Sequence, residues 1–344
     1  MNFNYQKICS EVLGDLPQRQ KEILLRRFAL SADFVGRRRL RRPKAEASSE
    51  GGVKGETLEL IGKSYGITRE RIRQIEKEGF LRLKPKIKQY QKIFQYFNKY
   101  FEARGGLKKE DILLEQLGDK NQKPQIYFLL TLGPNFERFG ETDDFYSLWT
   151  INQDSLKRAK EIIDSLFQKL LKLGKSLTPK ELRSFISLKE PILISYLEIS
   201  KKIQKNEGGL FGLSDWPEIN PRGIKDKAYL MFKKEKRPLH FTEVARLLDG
   251  SLVQTVHNEL IKDSRFILVG RGIYALQEWG YYPGQVKEVI LKVLKEERKS
   301  LTKEEILEKV LKQRLIKENT ILLNLSNKKY FFRDSQGKYQ VKEI

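Results

Sequence analysis

The chain has 344 residues, 39% of them hydrophobic, and a formal net charge of +22. That is enough length for two or more domains with packed cores, and the charge favours a polyanionic partner, nucleic acid ahead of an anionic membrane surface. A lone cysteine, Cys9, excludes an internal disulfide framework and fits a reducing cytosol, no apolar run is long enough to span a bilayer, and the opening residues lack a signal-peptide pattern. The expectation is a cytoplasmic, nucleoid-associated protein with no membrane partner.

Residues 1–30 read as helical. Asn2 or Asn4 starts a first helix, and Pro17 suits the first turn of a second over 18–29. A basic insert, 31–55, follows. Its stretch 36–56 reads as a loop, with GRRRLRRPK and a flexible ASSEGG tract. A basic loop of this kind either lies along phosphates or is a solvated insertion, and both readings stay open.

Residues 57–83 read as two short helices joined by a tight turn. Leu58, Ile61 and Tyr65 share one face, Gly66 suits a turn that needs φ > 0, Ile67 plugs the space between the helices, and Thr68 caps the second. On the second helix Ile72, Ile75, Gly79, Phe80 and Leu83 fall inward. Glu70, Arg71, Arg73, Gln74 and Lys77 fall outward. An outer face of Arg and Gln suits a helix that reads the major groove, because Arg bonds guanine bidentately and Gln bonds adenine. The helix N-terminus offers a site for a backbone phosphate.

The run Ile67-Thr68-Arg69-Glu70-Arg71-Ile72-Arg73-Gln74-Ile75-Glu76, with Thr57, Ile61 and Gly62 before it, closely resembles region 4 of primary-type bacterial sigma factors. Leu16-Pro17-x-Arg19-x3-Ile23-Leu24-x2-Arg27-Phe28 resembles the opening helix of the same region. The resemblance implies a helix-turn-helix that reads a −35-type promoter element, with Arg69, Glu70, Arg71, Arg73 and Gln74 at the DNA; Thr68 at the helix start and Lys77 on the outer face complete the candidate DNA-binding set. It also implies an opposite surface that grips the β flap of core RNA polymerase. Glu76 lies near the inner face and reads as structural. The sequence departs from the family at Leu60, where an acid is usual, at Gly79, which should weaken the last turns, and at the basic insert.

After Pro85 a repeat emerges. Trp149, Trp216 and Trp279 close the phrases FYSLW, LFGLSDW and IYALQEW, each after three helical stretches and a short strand. The expected architecture is mainly α: a helix-turn-helix domain at 1–86, then tandem winged-helix modules at 87–152, 153–221, 222–283 and 284–344, each with three helices and a β-hairpin wing. In the first, helices are expected at 87–103, 109–117 and 124–132, and strands at 136–139 and 145–149. In the second, Asp154 caps a helix to 173, Thr178-Pro179-x-Glu181 opens the next, and 191–200 belongs to the third. In the third, the last helix covers 251–263 and strands 265–269 and 273–276 flank Gly270-Arg271-Gly272. In the fourth, Thr302-x-x-Glu305 is a capping box and the strands cover 329–333 and 338–342. The tract from Arg237 to Tyr281 resembles the HARE-HTH winged helix, a family that includes the folded domain of the RNA polymerase δ subunit.

Such modules either enter a groove with the third helix or dock protein. In the first module that helix, PQIYFLLTLG, is almost wholly apolar, so it is buried or binds protein. Arg271, at a hairpin tip, is the candidate phosphate contact outside the N-terminal domain. His240 and His257 are the only histidines and with Cys9 make no metal centre, no P-loop occurs, and Asp143-Asp144 reads as a turn. No enzyme, metal or cofactor is expected.

The functional expectation is a DNA-binding transcription protein that meets double-stranded DNA and RNA polymerase and modulates initiation. With little chain ahead of the region-4-like part, a complete sigma factor is not expected. Two other readings stay open: a polymerase-independent repressor or chromosome-organising protein, and the DNA-targeting subunit of a restriction or defence system.

Overall fold

A computed structural model describes residues 3–30, 55–248 and 251–342. The arginine-rich run at 36–44 lies outside the described residues. The chain divides into two compact units, Met1–Asp215 and Trp216–Ile344.

The first unit opens with α1 (Tyr5–Leu13), whose N-cap is Asn4, and α2 (Gln18–Arg27). Pro17 occupies the cap of α2 rather than its first turn. The helix stops two residues before the expected Ala29, which takes a φ of 53°. Next come α3 (Leu58–Tyr65) and α4 (Arg69–Leu83). A short 3-10 turn at Lys86–Tyr90 leads into α5 (Gln91–Glu102), so the helix expected from 87 begins one turn late.

From α5 onward one order of elements recurs. After α5 come β1 (Leu107–Lys109), α6 (Glu110–Gln116), α7 (Lys123–Leu132), β2 (Glu137–Phe139) and β3 (Leu148–Thr150). The sheet order is β1-β3-β2, antiparallel throughout. Lys109, expected to open a helix, is instead the last residue of β1. A strand this short carries no periodicity, so the sequence did not reveal it.

The second repeat has α8 (Gln153–Leu173), α9 (Pro179–Arg183), α10 (Glu190–Glu198), β4 (Ile203–Lys205) and β5 (Phe211–Leu213). The cap of α8 is Asn152, which accepts from the Ser155 N–H, and Asp154 falls in the first turn, a shift from the expected cap. The capping box at Thr178 and Glu181 forms as expected.

The second unit repeats the order twice. First come α11 (Gly223–Glu235), β6 (Leu239–His240), α12 (Phe241–Leu247), α13 (Val253–Lys262), β7 (Phe266–Gly270) and β8 (Ile273–Leu276), with sheet order β6-β8-β7. Then come α14 (Val286–Glu297), α15 (Lys303–Gln313), α16 (Glu318–Leu325), β9 (Phe331–Arg333) and β10 (Tyr339–Val341). The Thr302–Glu305 capping box forms. In the second and fourth repeats the leading strand shrinks to one bridge, Leu177 to Phe211 and Leu301 to Tyr339. The tryptophans are not equivalent: Trp149 lies inside β3, whereas Trp279 follows β8 in a 3-10 turn.

One hydrophobic core runs from α1, α2 and α4 through α5, α6 and α7 to Trp149. The Tyr5 hydroxyl donates to the Leu117 carbonyl at 2.7 Å, and the Cys9 thiol reaches the Gln125 carbonyl at 3.8 Å. A smaller core of Ile23, Ile61, Ile72 and Ile75 sits under α3 and α4.

Candidate nucleic-acid interface

The helix-turn-helix is built by local signals. Thr57 caps α3, its hydroxyl accepting from the Leu60 N–H at 3.2 Å. Gly66 ends α3 with φ 65°, a left-handed conformation that costs a Cβ-bearing residue energy. The Ile67 N–H then donates back to the Gly62 carbonyl at 3.0 Å. Gly62 is needed here, because a Cβ would sit 2.7 Å from the Ile67 carbonyl oxygen. Thr68 caps α4 by accepting from the Arg71 N–H at 3.2 Å. Ile67 is half-buried between the helices.

Ile72, Ile75, Gly79 and Leu83 are the buried face of α4. The helix runs through Gly79 to Leu83. A Cβ at Gly79 would lie 3.3 Å from the Leu24 side chain, which shows how closely α2 crosses there.

Arg69, Glu70, Arg71, Arg73, Gln74 and Lys77 are all exposed on the outer face, and Thr68 is exposed at its start. They come in pairs. The Arg73 guanidinium grips Glu70 through two hydrogen bonds, at 2.9 and 2.6 Å, and Arg71 donates to Gln74 at 3.0 Å. The Arg73 bond holds the Glu70 carboxyl below its usual range. The face therefore carries a preset array of fork donors and amide groups, the chemistry that reads base edges. Leu60, where the family has an acid, is 55% exposed.

Glu76 sits inward, as its position implies. Burial pushes its carboxyl up, and Arg27 at 3.5 Å pulls it back. The sequence alone did not reveal the clasp beside it. Arg26 donates to Glu56 and to the Ser64 hydroxyl, the Glu56 N–H donates to the Arg26 carbonyl at 3.0 Å, and Arg27 reaches the Glu56 carbonyl at 3.2 Å. These bonds hold Glu56 against the end of α2.

Arg271 lies in the second unit, exposed in the two-residue turn between β7 and β8. Gly272 takes φ 69°, and a Cβ there would lie 2.5 Å from the His240 imidazole. His257 stacks on Phe241 with ring centroids 4.2 Å apart, and His240 caps α12, so both histidines have packing or capping roles. Among the described residues, no group of three or more His, Cys, Asp or Glu could hold a metal ion, and no helix is long and apolar enough to cross a membrane.

In the first unit the third helices of the repeats serve internal packing. Ile126, Phe128, Leu129, Leu130 and Leu132 of α7 are buried, and Phe128 meets Phe28 and Phe80. On α10, Ser195 donates to the Leu107 carbonyl at 2.6 Å and Tyr196 to that of Gly105 at 3.0 Å. The loop before β3 is occupied as well: the Tyr146 N–H donates to the Ile199 carbonyl at 2.9 Å.

No curated protein matches the chain. Among solved structures, the bacterial selenocysteine-specific elongation factor EF-Sec is similar at 17% identity, covering 75% of this chain and 40% of that chain, with a TM-score of 0.22. Residues 12–84 match the family model for Sigma-70, region 4, and the role this domain brings to the chain is DNA binding in transcription.

Proposed function

We propose that the chain binds promoter-like double-stranded DNA through α4 and modulates transcription initiation together with RNA polymerase. The observation that carries the reading is the outer face of α4: Arg69, Glu70, Arg71, Arg73, Gln74 and Lys77, exposed together on a helix whose start, turn and inner face follow the matched family. Arg73 and Gln74 read bases, while Arg69 and the α4 N-terminus beside Thr68 hold a phosphate. The arginines of the basic insert are proposed to add phosphate contacts and counterion release.

The four repeats are read as winged helices, the third of them of the HARE-HTH kind. Support comes from one order of helix, strand or bridge, two helices and hairpin, with the leading strand beside the last strand each time. In this reading the first repeat braces α4 through α7, and α10 of the second repeat packs on the first. DNA contacts outside α4 fall to the second unit, with Arg271 on a phosphate. No catalysis is assigned to any part of the chain.

A polymerase-independent repressor is the second reading, and one observation favours it. The resemblance puts the polymerase contact on the surface away from the reading residues, and α7 packs on part of that side through Phe28 and Phe80. Capture of core RNA polymerase by the tagged full-length chain, after nuclease treatment, separates the two. Retention is expected; a failure to retain polymerase alongside intact duplex binding would establish the second reading.

A further inference from the structure

The β9–β10 hairpin of the last repeat has a face that the reading above does not use. Its register pairs Phe331 with Val341, Phe332 with Gln340 and Arg333 with Tyr339. Side chains alternate across a strand, and here Phe331, Tyr339 and Val341 turn into the core of the repeat. Phe332 turns out and is 55% exposed, with Gln340 exposed opposite it. The ladder continues through the Asp334 N–H to the Lys338 carbonyl and the Lys342 N–H to the Tyr330 carbonyl, so half-buried Lys338 and exposed Lys342 stand at the two positions diagonal to Phe332, a spacing of roughly 7–8 Å in a β-ladder. Just ahead of β9, Lys287 and Lys329 lie 5.4 and 5.7 Å from the Tyr330 ring.

The charge around this aromatic is basic in excess. Residues 328–343 carry Lys328, Lys329, Arg333, Lys338 and Lys342 against two acids, Asp334 and Glu343, and Glu305 of α15 faces Lys338. Asp334 is committed to the turn, where its carboxylate accepts from the Gln336 N–H at 2.9 Å and the Lys338 N–H at 2.8 Å. The ion pairs of this repeat among the described residues are Lys292–Glu296, Lys309–Glu297 and Lys312–Glu308, and none reaches the hairpin.

We propose that the outer face of the β9–β10 hairpin is a platform for single-stranded nucleic acid, with Phe332 stacking on an unpaired base and Lys338 and Lys342 on the flanking phosphates. An exposed ring flanked by cations is what such platforms need: the base supplies a π-face whatever its identity, and the backbone supplies the negative charge. A second copy of this chain is a poor occupant, because lysines along an edge strand oppose pairing with a like-charged edge. An acidic protein would match the charge but would leave the solvent-facing ring without a flat partner.

The test uses the full-length chain carrying Arg69→Ala, Arg71→Ala and Arg73→Ala, which removes the α4 site. The probe is a fluorescein-labelled oligothymidine of about 20 nucleotides, longer than the ~4–16 that such surfaces span. Binding to the probe is expected to survive the triple substitution and to weaken about fivefold or more on adding Phe332→Ala, with Phe332→Trp restoring it. Lys338→Ala with Lys342→Ala should lower the salt dependence by about 0.7 per lost phosphate contact. Phe332 is mostly outside the core, so its variants keep the fold. Unchanged affinity for Phe332→Ala would overturn the proposal, as would a wild-type dimer that this variant dissociates. Duplex binding by the chain with α4 intact is indifferent to Phe332, so failure here is distinguishable from failure of the α4 reading.

Discussion

Phe28, at the end of α2, meets Phe128 of α7 edge-on, with ring centroids 5.3 Å apart, and Phe80 of α4 completes the cluster. The helix-turn-helix therefore shares its core with the repeat that follows. Phe128→Ala should cost about 3–5 kcal/mol, the range for deleting a buried aromatic ring. The loss should appear in one cooperative transition reported both by probes on α4 and by Trp149. Separate transitions for the two probes in the wild type would show independent folding and contradict the shared core.

The same joint protects Cys9. Burial pushes its thiol up to about 12, so only about 1 in 10⁴ molecules carries the thiolate near pH 8 even before access is considered. Reaction with a disulfide reagent is expected to follow opening of the shared core, and Phe128→Ala should accelerate it by the same factor as it destabilises that core. Rapid modification of the native wild type would count against the placement of α1 on α7.

Two glycines separate close approach from helix propensity. Gly62→Ala would put a Cβ 2.7 Å from the Ile67 carbonyl oxygen, a backbone atom fixed by the turn. A loss of about 1–3 kcal/mol is expected, as for overpacking elsewhere. At Gly79 the nearest atom is a Leu24 methyl at 3.3 Å, which can shift. Gly79→Ala should be near neutral, because a helix gain of up to about 1 kcal/mol offsets the contact. Thermal denaturation of both variants checks the contrast, and equal losses would contradict it.

Glu76 gives a pH-dependent signature. Burial raises its carboxyl in the folded state, so its contribution to stability is full below the unfolded carboxylate range and is lost as pH rises through the raised value. Glu76→Gln removes that dependence. The stability of the variant relative to the wild type should therefore increase between about pH 4 and about pH 7, read as urea midpoints. The opposite trend would mean that the Arg27 pair outweighs burial.

What was legible in the sequence was local. Thr57, Gly66 and Thr68 mark the ends of α3 and α4 by cap chemistry, and the inward set on α4 follows the 3.6-residue period. The boxes at Thr178 and Thr302 are equally short-range. Partnership was less legible. The apolar run of α7 announces burial but not that Phe28 and Phe80 cover it, because periodicity does not name the facing surface. The strands at Leu107 and Leu239 are too short to show alternation. Trp149, Trp216 and Trp279 marked the repeat period while occupying unlike positions in it, since a tryptophan fits either within a strand or in the turn after one. Among the site residues, the exposure of Glu70, Arg71, Arg73, Gln74 and Lys77 followed from the pattern, but the Arg73–Glu70 and Arg71–Gln74 pairings needed the side chains.

The most direct test of the central claim is the affinity of full-length Arg73→Ala for a duplex selected by the wild-type chain, compared with a duplex of unrelated sequence. If Arg73 reads a base, the variant should lose about 1–3 kcal/mol on the selected duplex and little on the unrelated one. Equal losses on both would make Arg73 a phosphate contact. No loss on either would contradict DNA reading by α4.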